Sequence, residues 1–88
     1  MNKLEFDSLI GKAASGDVQS ICEIADFAFY MATGAKENND PQAAIDYITA
    51  ANEWLRVAEW LKSSGMTDVG DDLAPAIELT KSLFKNCF

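Results

Sequence analysis

The sequence predicts an all-α fold, a compact bundle of about four helices arranged as antiparallel hairpins, on three observations. Apolar residues recur at three- and four-residue spacing in four stretches. No stretch alternates apolar and polar residues with a period of two, and the β-branched residues are scattered, so no strand is expected. Between the stretches fall glycines and an Asp-Pro pair, the residues that end and start helices. The 88 residues are read as a single helical domain spanning 1–88.

The first helix is predicted over Lys3 to Ala14, with Leu4, Phe6, Leu9, Ile10 and Ala13 on its apolar side. Ser15-Gly16-Asp17 then breaks the chain: Gly16 can take the left-handed conformation, and Asp17 can cap the next helix by accepting amide hydrogen bonds. The second helix is expected from Val18 to Thr33, closed by Gly34. Its apolar residues, among them Ile21, Ile24, Ala25, Ala28 and Ala32, cover over half its circumference, which marks a central helix packed on two sides. Gln19, Glu23, Asp26 and Tyr30 line the remaining side.

A polar loop is expected over Ala35 to Asn39. Asp40 then caps a third helix, with Pro41 at the first helical position, where its missing N–H costs nothing. This helix is predicted to reach about Ser63, with Ala44, Tyr47, Ile48, Ala51, Trp54, Leu55, Ala58 and Leu61 inside. Asp46, Thr49, Asn52, Glu53, Arg56 and Glu59 form the wet face, and Trp60 falls among them. Met66 to Asp72 reads as a connector with a helical turn after Thr67. A fourth helix starts near Asp72, with Pro75 in its first turn and Leu73, Ala76, Ile77, Thr80, Leu83, Phe84 and Cys87 as core stripe.

Composition narrows the function classes. With 49% apolar residues the chain belongs with globular proteins, not disordered ones. No apolar run approaches the ~18 residues of a membrane-spanning helix, and the N-terminus lacks a signal-peptide core. The expected location is cytoplasmic. Fourteen carboxylates against seven basic groups give a formal net charge of −7. Direct binding to nucleic acid or to anionic membranes is therefore not expected, because both depend on clustered Lys and Arg. A basic protein surface is the better match, although an acidic exterior also serves solubility alone.

No cofactor, metal or catalytic site is expected. There is no histidine, and Cys22 and Cys87 lie far apart, so a zinc site has too few ligands and reduced thiols are expected. Asp68-Val69-Gly70-Asp71-Asp72 lacks the alternating ligands and closing glutamate of a calcium loop. Glu23 and Asp26 lie on a wet helical face and Asp71 and Asp72 at a helix start, where solvation and the helix dipole explain them without catalysis. Phosphate-loop and nucleophile-elbow glycines are missing.

Gly16-Asp17 before a helix, Ile24-Ala25, the pair Phe29-Tyr30, then Gly34, a loop, and Ala44 with Tyr47 and Ala51 form a further pattern. On these residues the segment from Gly16 to Ala51 resembles one unit of the Sel1-like repeat, a relative of the tetratricopeptide repeat. The stretch Lys12 to Asp17 is similar to the junction between such units. The resemblance implies helices stacked as antiparallel hairpins whose exposed face binds other proteins.

The candidate partner-binding residues are Glu23, Asp26, Tyr30, Glu53 and Trp60. No Lys or Arg occurs between Lys12 and Lys36, so the acidic stripe of the second helix has no basic neighbour on its own helix. Trp60 is either a binding anchor on a polar face or covered by the first or fourth helix. If the second and third helices pair as a hairpin, their wet edges come to one side. The function expected is a small acidic protein-binding module, an adaptor or inhibitor of a basic partner, nucleic-acid-binding proteins included. Phage and mobile-element proteins such as DNA mimics and anti-CRISPR proteins share this size and charge. The alternative is a homodimeric structural module that buries Phe27, Tyr30 and Trp60 between copies.

Overall fold

The computed structural model describes residues 2–64 and 70–85. Among them the chain forms four helices and no strand: α1 (Lys3–Ala14), α2 (Val18–Glu37), α3 (Pro41–Ser64) and α4 (Gly70–Phe84). The all-α bundle read from the sequence is the fold observed. Each helix packs on the next, and α1 closes the bundle against α4. The α2–α3 pair makes by far the most extensive contact. Joined by only three residues, these two helices run antiparallel. At ~1.5 Å per residue, the 24 residues of α3 account for most of the molecule's 40 Å length.

The two short turns share one hydrogen-bond pattern. At the end of α1, Gly16 N–H donates to the Ala13 carbonyl and Asp17 N–H to the Lys12 carbonyl, with Gly16 at φ 95°. At the end of α2, Asn39 N–H donates to the Lys36 carbonyl and Asp40 N–H to the Ala35 carbonyl, with Asn39 at φ 58°. Both are Schellman motifs, in which one left-handed residue satisfies the last carbonyls of a helix. Asparagine takes that conformation more readily than other side-chain-bearing residues. This corrects the expected end of α2: the helix passes through Gly34 and continues to Glu37. A glycine inside a helix costs only about 1 kcal/mol relative to alanine, and the turn it was expected to supply comes from Asn39.

The caps differ in the same way. Asp40 caps α3 as expected, its Oδ1 accepting the Ala43 N–H at 3.2 Å. Asp17 sits at the cap position of α2 but makes no such bond; its Oδ2 accepts from the buried Ser20 hydroxyl at 2.6 Å instead. Pro75 lies in the second turn of α4, not the first, because that helix begins at Gly70. There it removes the amide that would have bonded the Asp71 carbonyl. The expected turn after Thr67 and the core position Cys87 lie outside the described residues.

The core forms around two contacts that span the chain. Phe84 of α4 meets one ring from every other helix: Phe6 edge-on at 5.3 Å, Phe27 tilted at 5.2 Å and Tyr47 stacked at 5.3 Å. Trp54 is fully buried in α3, and its indole N–H donates to the Thr80 hydroxyl at 2.7 Å, also fully buried. Buried alanines, including Ala25, Ala28, Ala44 and Ala51, supply small residues along α2 and α3. Two expected core positions are outside it: Leu4 is 81% exposed and Ile48 41% exposed, while Ala50 and Val57 of α3 are buried. The buried arc of α3 is thus turned away from Ile48, toward Ala50 and Val57.

Candidate protein-interaction surface

Gln19, Glu23, Asp26 and Tyr30 all stand exposed along α2. The apolar arc of this helix turns inward onto its neighbours, so the polar spacing places these four residues on one outward stripe. Gln19 Nε2 donates to Glu23 Oε1 at 3.4 Å, at the long end of hydrogen bonding. Among the described residues neither Glu23 nor Asp26 forms an ion pair, so both carboxylates face solvent uncompensated. Tyr30 is 72% exposed, and its ring lies nearly parallel to Phe27 with 6.4 Å between centroids. Phe27 in turn rests on Phe84. The exposed ring is thus supported from beneath by the core.

Glu53 and Trp60 are two turns apart on α3, so helical geometry places them on one flank. Glu53 is half-buried and paired with Arg56, Oε2 to Nη2 at 2.9 Å, which offsets its charge. Trp60 is 37% exposed, so its neighbours cover part of the ring and leave an edge in solvent. Glu23, Asp26 and Tyr30 form one group and Glu53 and Trp60 another. No hydrogen bond, ion pair or ring contact among the described residues joins the groups.

Two grooves escaped the sequence reading. The first, about 430 Å³, lies at the α2–α3 turn and is lined by Tyr30, Gly34, Glu37, Asp40, Ala43 and Tyr47, among others. It exists because α2 runs on to Glu37, so the two helices reach the turn still paired. Tyr47 is fixed there by its hydroxyl, which donates to the Leu83 carbonyl at 3.3 Å. The second groove, about 350 Å³, lies between α1 and α4 and is lined by Lys3, Phe6, Asp7, Lys81, Phe84 and Lys85. It gathers three of the chain's seven basic residues.

Among the described residues no group of three His, Cys, Asp or Glu side chains is placed to hold a metal ion. Cys22 is a half-buried free thiol. No helix among them is long and apolar enough to cross a membrane. No known protein family, no curated protein and no solved structure matches this chain. The likeness of Gly16 to Ala51 to a Sel1-like unit accordingly stands on those residues alone, and α3 continues to Ser64, well beyond it.

Proposed function

We propose that the chain is a small acidic protein-binding module that acts as an adaptor or inhibitor by docking on a basic protein surface in the cytoplasm. It works by binding, not catalysis. The observation that carries this reading is the stripe on α2: two uncompensated carboxylates, Glu23 and Asp26, beside the exposed and core-supported ring of Tyr30. Uncompensated charge steers an oppositely charged partner, and an ordered aromatic ring supplies contact area at little entropic cost. Trp60 adds a second aromatic edge on α3. Nucleic-acid-binding proteins present basic surfaces of this kind, and an acidic helical face can occupy a phosphate-binding groove.

Affinity capture from the native host, followed by mass spectrometry, tests the reading when run beside the double charge reversal Glu23→Lys, Asp26→Lys. The parent should retain one or a few basic proteins that the variant loses. An identical set retained by both would remove the stripe from the account.

A second reading is favoured by a different observation. Leu4, Ile45 and Ile48 are exposed apolar side chains beyond the two aromatics, and a self-complementary dimer would bury such positions. Phe27, expected in such an interface, instead packs against Phe84. Light scattering at high concentration separates the readings: a monomer eliminates the dimer.

A further inference from the structure

The groove at the α2–α3 turn has a chemistry of its own. Its lining residues include two tyrosines, Tyr30 exposed and Tyr47 held by Leu83, and two acidic residues, Glu37 and Asp40. None of its lining residues is basic; Lys36 is next in sequence but does not line it. Asp40 Oδ1 is engaged by the Ala43 amide, while Oδ2 makes no hydrogen bond or ion pair among the described residues. The groove also lies at the C-terminal end of α2, where the helix dipole favours positive charge, and Asp40 offsets the opposite end of α3. Two carboxylates are too few to strip a calcium ion of its water, but they suit an organic cation that also stacks on an aromatic ring.

We propose that this groove is the receptor for a single cationic side chain of the partner, an arginine. The inference rests on the basic-partner reading above and adds where the contact is made. A guanidinium is planar, stacks on tyrosine and donates in a fork to carboxylates, and so meets both wall types at once. Tyr30 belongs both to the acidic stripe and to the groove. Steering by Glu23 and Asp26 therefore ends at the groove, where the arginine seats.

Gly34 provides the test. It is helical and lines the groove, and a Cβ built on it meets nothing within 4 Å. Gly34→Leu thus adds a side chain at the groove wall whose Cβ meets no neighbour, at a position where a side chain favours the helix. In a nitrogen-15 NMR titration of the whole chain, the peptide acetyl-Gly-Arg-Gly-amide should shift the amides of Gly34, Ala35, Asn38 and Ala43 saturably. The matching citrulline peptide, neutral but nearly isosteric, should bind at least about tenfold more weakly. Gly34→Leu should keep a dispersed spectrum and lose these shifts. Glu37→Gln with Asp40→Asn, which preserves the helix cap, should weaken binding comparably without adding bulk. Equal binding of both peptides, or shifts that survive in both variants, overturns the proposal. A parallel titration with octa-arginine separates the two levels of the account. If octa-arginine binds parent and Gly34→Leu alike, with affinity falling as salt rises, the groove fails and the acidic-surface reading stands. If octa-arginine fails to bind the parent, both fall.

Discussion

Thr80→Val is the sharpest probe of the core, because it removes one atom's function and almost no volume. The Thr80 hydroxyl is fully buried and accepts the Trp54 indole N–H at 2.7 Å, and Trp54 is itself fully buried. Valine keeps the shape but leaves the N–H without an acceptor and closed off from water. An unsatisfied buried donor costs about 1–3 kcal/mol. A chain of 88 residues has a total stability of roughly 4–13 kcal/mol. The loss is therefore a substantial share of the whole. At about 4–8 °C per kcal/mol, the melting temperature should fall by roughly 5–20 °C. Circular dichroism at 222 nm during heating, with urea titrations to check that the denaturant slope is unchanged, gives the number. Thr80→Ser keeps the acceptor and loses only a methyl, so it should cost about 1 kcal/mol. Trp54→Phe removes the donor, and in that background Thr80→Val should become nearly neutral. The reasoning is refuted if Thr80→Val melts with the parent, or if its cost is the same with Phe at position 54.

Three further outcomes follow from the same structure. Gly34→Ala should stabilise the chain by about 0.5–1 kcal/mol, because Gly34 lies inside α2 with open space beside it; a destabilised variant in the same melting assay would mean that Gly34 terminates the helix. Ala28→Asp should unfold the domain, since it places an unpaired carboxylate at a fully buried site, whereas Ile48→Asp, at a 41% exposed site, should lose no more than about 1 kcal/mol; equal unfolding of both in urea would contradict this placement of α3. Trp60→Ala should speed dissociation from the partner and weaken binding by about 2 kcal/mol or more, beyond the stability lost with the covered part of its side chain; a melting loss with unchanged dissociation would make Trp60 a core residue alone.

The helices were legible because local signals and burial pointed the same way. Lys3 to Ala14 is bounded in the structure as in the sequence, and Asp40-Pro41 opens α3 as those residue types dictate. The errors came from rival signals of similar strength. Gly34 and Asn39 could each supply a left-handed residue, and only the choice of Asn39 lets α2 keep its last turn paired with α3. Ile48 sits at the edge of the buried arc of α3, and a small rotation of the helix about its axis decides its burial; single-helix periodicity does not contain that rotation. The partners of Phe84 and the bond from Trp54 to Thr80 join residues far apart in the chain. No spacing rule reaches across such distances. The stripe of Glu23, Asp26 and Tyr30 was legible for the opposite reason, since one helix's own geometry sets it.

The central claim, that the acidic stripe of α2 directs binding to a basic partner, is tested most directly by the salt dependence of association. Stopped-flow association rates with the captured partner, from about 50 to 500 mM salt, compare the parent with Glu23→Lys, Asp26→Lys across a threefold change in Debye length. The account predicts that the parent's association rate falls steeply, by about tenfold or more, as salt screens the steering field. The charge-reversed variant should associate more slowly at low salt and show a flatter dependence, with an unchanged melting temperature. A parent rate independent of salt, equal to that of the variant throughout, would contradict it.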